Sequence, residues 1–196
     1  MTSKSYQEHL IRQANESDSA TASPMFFGEM QMIPQMVGDM LRADKVQGPV
    51  LDYGAGVKAP HANSLRERGF EVYAHEIGAN VRKRTHREDA LSHAYALVYA
   101  SNVLNVQGSK AMLEKTLKEL RAAVWEEGVL ICNLPLSPRY AAWSGPAGRD
   151  AQSLHNQLRG LFGSVEVSGG TANAPIFVCK NVEFENLNGR PTYSVG

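Results

Sequence analysis

Apolar residues form short runs from residue 50 onward, and segments with a helical apolar spacing separate these runs. Four of the runs have the length and the β-branched or aromatic content of buried strands. They cover residues 50–53, 70–74, 96–100 and 129–132. The 96–100 run carries no charge, which is typical of a parallel strand that is covered on both faces.

Apolar stripes with a period near 3.6 residues predict helices between these strands. The predicted helices cover residues 34–42, 61–68, 112–124 and 151–162. Pro34 suits a first helical turn, Gly69 ends the second helix and Asp150 is a candidate N-cap for the fourth. We interpret the methionine-rich stripe of the first helix as core packing.

The last two apolar runs, 165–167 and 176–179, have no helical segment between them. The loop predicted between them contains Gly169, Gly170 and Pro175. Strands that follow each other without a crossover helix pair in antiparallel fashion. The whole pattern predicts an α/β fold with a mostly parallel sheet, helices on both faces and a C-terminal antiparallel hairpin.

A length of 196 residues suits one domain with a single core. Residues 1–24 are polar and are interpreted as a tail or weak helix, so the predicted domain spans residues 25–196. Lys plus Arg and Asp plus Glu both total 20, which gives a formal net charge of zero. This balance argues against a general nucleic-acid coat protein but allows a local basic patch.

No segment has the apolar length of a membrane span, and the first residues lack the apolar core of a signal peptide. We therefore expect a soluble, cytoplasmic protein with no membrane partner. Cys132 and Cys179 lie in apolar runs and are interpreted as buried free thiols. No metal site is expected, because neither Cys-x-x-Cys nor His-x-x-x-His spacing occurs. The oligomeric state is not indicated.

The strongest chemical signal is the segment DYGAG at residues 52–56, which ends the first predicted strand. Its two glycines let the backbone turn sharply with no Cβ in the way. Such a turn brings a ligand close to main-chain amides at the carboxyl end of a sheet. Glu76 follows the next strand, and a carboxylate at this position can accept hydrogen bonds from both ribose hydroxyls.

The order of these segments resembles that of the class I S-adenosyl-L-methionine (SAM)-dependent methyltransferases. The similarity covers residues 50–135 and consists of VLDYGAG, VYAHE, EDAL, ALVYASNVLN and GVLICN. The terminal hairpin fits the extra antiparallel strand of the same family. The resemblance implies a Rossmann-like three-layer sandwich, SAM as cofactor, and direct in-line methyl transfer that depends on alignment of the reactants.

The resemblance also implies roles for matching positions. The implied cofactor-binding residues are Asp52, Gly54, Ala55, Gly56, Glu76, Ile77, Asp89, Ala90 and Ser101. Among them, Glu76 would hold the ribose, Ile77 would flank the adenine and Asp89 would accept from its amino group. The implied catalytic residues are Ser101 and Asn102, which would face the methyl donor and the substrate, together with Asn133 in the site wall.

Two segments depart from the family pattern. Lys58 stands where many relatives have a small residue, so His61 could point into the site. The strand end SNVLN at residues 101–105 is not the Asn/Asp-Pro-Pro-Tyr/Phe signature of enzymes that methylate adenine or glutamine amino groups. The candidate substrate-binding residues are His61, Asn105, Arg139 and Tyr140.

The methyl acceptor stays open between a nucleic-acid base and a small metabolite. The basic run at 82–87 could contact phosphates or be a solvated loop. Arg139, Tyr140 and Trp143 could stack on a ring or form an ordinary loop. Methylation at C5 of cytosine is not expected, because Cys132 lies within a strand and not in a Pro-Cys loop.

Two other functional classes compete with an active methyltransferase. The first is a catalytically inactive, methyltransferase-like module that binds SAM or regulates a partner. The second is a nucleotide-binding oxidoreductase, against which the SNVLN strand end and the terminal hairpin argue. A small enzyme without a separate recognition domain also fits a phage or bacterial source.

Overall fold

The structure is a computed structural model that describes residues 32–77, 80–107, 110–135, 151–171 and 174–181. The predicted N-terminal tail lies outside these residues. The described α-helices are α1 Met32–Arg42, α2 Pro60–Glu67, α3 Lys110–Ala123 and α4 Ala151–Arg159. The described strands are β1 Val50–Tyr53, β2 Val72–His75, β3 Tyr95–Ala100, β4 Val124–Asn133, β5 Ser164–Thr171 and β6 Ala174–Lys180. Short 3₁₀ helices cover Ala90–Ser92 and Leu104–Val106.

The described strands form one sheet in the order β2-β1-β3-β4-β6-β5. Strands β1 to β4 run parallel, whereas β6 pairs antiparallel with both β4 and β5. The predicted parallel sheet with a C-terminal antiparallel hairpin is therefore confirmed. The chain passes from β1 to β2 on one side and then to β3 on the other, which creates a topological switch point between β1 and β3.

Two apolar cores cover the two faces of the sheet. The core beneath α1 and α2 includes Ile33, Val37, Ala62 and Leu65. The core beneath α3 and α4 includes Leu117, Leu120, Leu154 and Leu158. Strand β3 contributes to both cores and is buried along its whole length, as its lack of charge predicts. Met36 and Met40 pack against the first core, which confirms the core role of the methionine stripe.

The ends of α2 follow from its local sequence. Pro60 starts the helix, where its missing N–H costs no hydrogen bond. Ala59 precedes it with a left-handed φ of 42°, and Gly69 follows the helix with a φ of 89°. This Pro-first, Gly-last arrangement gives the short helix definite ends at the carboxyl edge of β1 and before β2.

Three glycines that the sequence places in connections lie inside strands instead. Gly128 lies between the predicted helix 112–124 and the predicted strand 129–132, but β4 already begins at Val124 and continues through it. The register between β3 and β4 shifts just after Tyr95, and a Cβ on Gly128 would lie 2.9 Å from the Tyr95 carbonyl oxygen. Gly169 and Gly170 extend β5, which shortens the hairpin loop. Glycine is favoured at such irregular strand positions because the backbones approach closely.

None of the described helices is long and apolar enough to cross a membrane. Cys132 and Cys179 are buried and free, as predicted. The described part of the chain contains no group of three or more His, Cys, Asp or Glu side chains that could hold a metal ion.

Candidate functional site

The loops after β1 and β3 lie at the carboxyl edge of the sheet, on either side of the topological switch point. Helix α2 follows β1 on one face, and α3 follows β3 on the opposite face. The two connections therefore leave the sheet in opposite directions, and open α/β sheets bind ligands at such points. The predicted cofactor loop, residues 52–56, lies there.

The two glycines of the loop share a left-handed backbone conformation but differ in the space beside them. Gly54 and Gly56 both have left-handed φ angles, 73° and 72°. The backbone N–H groups of Gly54 and Ala55 donate to the His75 carbonyl at 3.0 Å, which ties the loop to the end of β2. A Cβ on Gly54 would lie 2.6 Å from a Val103 methyl group, whereas that position on Gly56 has no atom within 4 Å from any described residue beyond its two chain neighbours. Gly56 therefore leaves open space beside the main chain for a ligand.

Glu76 connects the end of β2 to this open position. Its side chain is buried, and its Oε2 accepts from the Gly56 N–H at 2.7 Å. Its Oε1 accepts from the Ile77 N–H at 2.9 Å. These two contacts hold both carboxylate oxygens beside Gly56, and each oxygen of a carboxylate is a hydrogen-bond acceptor.

Asp52 lies beneath the loop and is 1% exposed. Burial raises the pKa of this carboxyl to about 7, and the nearby charge of Glu76 acts in the same direction. A hydrogen bond from the Ala62 N–H in the first turn of α2 partly offsets this increase in the pKa of Asp52. Asp52 therefore joins β1 to the start of α2 and stays below the surface that Gly56 and Glu76 line.

A second buried polar group accompanies Asp52. Tyr99 is its register partner in β3 and lies close enough to lower the pKa of Asp52. Among the described residues, neither Asp52 Oδ2 nor the Tyr99 hydroxyl has a hydrogen-bond partner of standard geometry. Buried polar atoms of this kind are costly when ionised, which explains the raised pKa of Asp52.

His86 was not among the site residues predicted from the sequence, yet it contacts the cofactor loop directly. Its ring is buried, and Nε2 lies 2.8 Å from the Gly56 carbonyl oxygen. The Arg82 N–H donates to Nδ1 at 2.9 Å. The basic run at 82–87 contains this histidine, but Arg82, Lys83 and Arg84 are exposed whereas His86 turns inward.

Asp89 and Ala90 lie beside β3 with different exposure. The Asp89 side chain is 56% exposed and is bound by Arg87 at 2.6 Å and by His93 at 2.7 Å. The hydrogen bond from Arg87 holds the pKa of Asp89 well below its usual range. Ala90 is fully buried in a 3₁₀ helix. The Asp89 carboxylate is therefore already engaged by two side chains.

The predicted catalytic residues meet at the ends of β3 and β4. The Asn102 N–H donates to Asn133 Oδ1 at 2.7 Å, and Asn133 Nδ2 donates to Asn102 Oδ1 at 3.0 Å. Asn102 has a left-handed φ of 59°, which asparagine tolerates better than most residues. Ser101 is half-buried beside this pair. The structure thus brings Ser101, Asn102 and Asn133 together, and we refer to this group as the interlocked strand end.

The predicted substrate residues do not converge in the described part of the chain. Asn105 is buried in the turn after β3, and its Oδ1 has no partner among the described residues. His61 lines a groove of about 230 Å³ between α1 and α2, and burial lowers its pKa. Arg139 and Tyr140 lie outside the described residues, as does Trp143.

Helix α3 contacts the loops after β1 and β3 through polar side chains. The Tyr53 hydroxyl, inside the cofactor loop, donates to Glu119 at 2.5 Å. One turn earlier, Thr116 donates to Gln107 at 3.0 Å, and Gln107 donates to the Val103 carbonyl at 2.9 Å. These contacts join the loops after β1 and β3 to the same helix. The sequence contains no spacing signal that predicts them.

No protein-family model and no curated protein sequence matches the chain. Solved structures do match it. A SAM-dependent methyltransferase from Bacteroides fragilis in complex with S-adenosyl-L-homocysteine (SAH) has a TM-score of 0.56 at 16% identity, over 78% of each chain. Magnesium protoporphyrin IX methyltransferase from Synechocystis PCC 6803, with bound SAH, has a TM-score of 0.54 at 14% identity, over 91% of this chain and 100% of that one.

The methyltransferase domain of a citrinin polyketide synthase has a TM-score of 0.56 at 14% identity. The match covers 77% of the present chain, which spans only about half, 52%, of that structure. At these identities the similarity is one of fold. Together with the strand order, the antiparallel hairpin and the glycine loop at the switch point, it shows that the chain has the Rossmann-like fold of the class I SAM-dependent methyltransferases.

Proposed function

We propose that the chain is a SAM-dependent methyltransferase that transfers a methyl group directly to a nucleic-acid base or a small molecule. The observation that carries the proposal is the position of the Glu76 carboxylate, 2.7 Å from the N–H of Gly56, beside open space at the switch point. A vicinal diol placed there can donate to the carboxylate, because both of its oxygens are acceptors. The neighbouring structures with bound SAH support SAM as the ligand.

The residues around this position fit the parts of SAM. Gly54, Ala55 and Gly56 would lie under the methionine moiety, above the buried Asp52. Glu76 would accept from the ribose hydroxyls. When bound, SAM supplies an electrophilic methyl group on a sulfonium, and the protein's own contribution is to bind, orient and exclude water.

Two further residues would contact the adenine. Ile77 is half-buried beside Glu76 and would flank the ring. Asp89 would receive the adenine amino group, with Ala90 beside it. Because Arg87 and His93 already hold the Asp89 carboxylate, the adenine would have to share these oxygens or replace one partner. We therefore expect Asp89 to contribute less to binding than Glu76.

The interlocked strand end would hold the acceptor beside the methyl donor. Ser101, Asn102 and Asn133 are neutral hydrogen-bonding groups, and Asn102 and Asn133 fix each other by two hydrogen bonds. Such groups align a nucleophile but remove no proton from it. A general base is required only where the attacking atom must lose a proton, so this strand end suits an acceptor atom that attacks without first losing one.

The same interlock supports a second candidate function, a SAM-binding module without catalysis. Asn102 and Asn133 use their polar atoms on each other, so fewer remain to bind an acceptor. Labelled methyl transfer from SAM to DNA, RNA and a metabolite extract separates the two functions. An active enzyme labels one pool, whereas a binding module binds SAM and labels none.

The acceptor class follows from the same assay, because each pool is tested separately. A matched Asn133→Ala variant provides the control, since it breaks both hydrogen bonds of the interlock and leaves the cofactor loop intact. We expect it to lose label transfer while it keeps SAM binding. Loss of SAM binding in this variant would contradict the assignment of Asn133 to the acceptor side of the site.

A further inference from the structure

His86 links two segments that are 30 residues apart in sequence. Its buried ring lies between the Arg82 N–H, at 2.9 Å from Nδ1, and the Gly56 carbonyl oxygen, at 2.8 Å from Nε2. A backbone N–H can only donate and a carbonyl can only accept. Nδ1 is therefore the acceptor, and Nε2 carries the proton that is donated to Gly56.

With this contact, both polar backbone groups of Gly56 are bound by side chains from outside its own loop. The N–H of Gly56 is bound by Glu76, and its carbonyl accepts from His86. The carbonyl also accepts from the Ala59 N–H at 3.1 Å, but Ala59 belongs to the same turn and moves with it. Both external contacts come from the segment after β2.

The orientation of the Gly56 peptide depends on its contacts, because a glycine residue does not restrict its own backbone angles. Gly56 has a left-handed φ of 72° and open space at its Cβ position. Such a residue has wide conformational freedom, which costs entropy whenever a ligand requires one orientation. Because the buried His86 ring donates to the Gly56 carbonyl, the peptide is already restricted before a ligand binds, and part of this entropy cost is removed.

We propose that His86 is a positioning residue of the cofactor loop, which holds Gly56 and thereby keeps Glu76 in place to bind the ribose. The inference rests on the proposed SAM site. It extends that site to a histidine that acts through the backbone of Gly56. The segment that carries His86 is itself anchored, since the Arg87 N–H donates to the Ala74 carbonyl in β2 at 2.9 Å.

Two substitutions separate positioning from simple structural support. In His86→Gln, the amide extends to the position of Nε2 and can still donate to the Gly56 carbonyl. In His86→Asn, the shorter amide reaches only the position of Nδ1 and can accept from the Arg82 N–H. Each variant keeps one of the two hydrogen bonds, so the two should lose similar amounts of thermal stability.

The experiment measures SAH affinity by calorimetry and the melting temperature without ligand for both variants. We expect His86→Gln to bind within about threefold of the wild type and His86→Asn to bind about tenfold more weakly, which is near the upper end of the effect of one lost hydrogen bond. His155→Asn is the control, because this half-buried histidine of α4 contacts Phe177 far from the loop, and it should bind SAH normally.

Equal affinity of the two variants, whether both normal or both weak, would overturn the positioning role. Absence of SAH binding by the folded wild type would instead refute the proposed function. If neither variant folds, nitrogen NMR of the wild-type histidines gives the answer. SAH should shift the ring signals of an Nε2-protonated buried histidine, and unchanged signals on saturation would overturn the inference.

Discussion

Substitution of Asp52 by asparagine should change how the stability of the protein depends on pH. The folded chain raises the pKa of this carboxyl from 3.8 to about 7, chiefly by burial. The folded state therefore binds the proton more tightly than the unfolded state does. The stabilisation is complete below pH 3.8 and is lost as the pH rises towards about 7.

The size of this effect follows from the shift. Each pKa unit corresponds to about 1.4 kcal/mol, so the shift amounts to about 4 kcal/mol over its whole range. Between pH 5 and pH 8 the wild type should lose roughly 2 to 3 kcal/mol of unfolding free energy relative to Asp52→Asn. The carboxyl is 1% exposed, so solvent screening reduces this figure little.

Urea unfolding at several pH values between 5 and 8 measures the difference between the two proteins. The lowered pKa of His75 also makes stability depend on pH, but it acts in both proteins and cancels in the difference. Asp89→Asn is the control. Because the pKa of Asp89 is lowered, its own carboxylate stays ionised throughout this range and releases no proton between pH 5 and pH 8. A constant difference between wild type and Asp52→Asn would refute the reasoning.

Four further substitutions test the site. Glu76→Gln should weaken SAH binding at least about tenfold, because an amide offers one acceptor oxygen where the carboxylate offers two; normal binding in calorimetry would contradict the ribose assignment. Gly54→Ala should unfold at clearly lower urea than Gly56→Ala, since its Cβ would lie 2.6 Å from Val103, while Gly56→Ala should mainly reduce SAH affinity. Equal urea midpoints would contradict this division. Tyr53→Phe should lose about 1–2 kcal/mol of unfolding free energy with its bond to α3, and a neutral effect would show that this bond contributes nothing.

The sequence predicts the fold well because the period of the apolar positions reports which faces are buried. The uncharged run at 96–100 is the doubly covered β3, and the two runs without a helix between them form the antiparallel hairpin. The strand ends are predicted less well. Gly128 and Gly170 indicate loops by composition, but close backbone contacts place both inside strands.

The candidate site divides in the same way. The glycine loop and Glu76 are predicted from their order along the chain, because each ends a strand at the same edge of a parallel sheet. His86 is not predicted, since its role depends on a hydrogen bond to a carbonyl 30 positions earlier. The two hydrogen bonds between Asn102 and Asn133 join residues that are 31 positions apart, so they likewise leave no local pattern in the sequence.

Calorimetric titration of the wild-type chain with SAH tests the central claim most directly. The account predicts saturable binding at one site with a Kd in about the micromolar range, and no heat from NAD under the same conditions. Glu76→Ala should abolish most of that binding in the folded protein. A flat SAH titration of folded wild type, or saturable NAD binding in its place, would contradict the account.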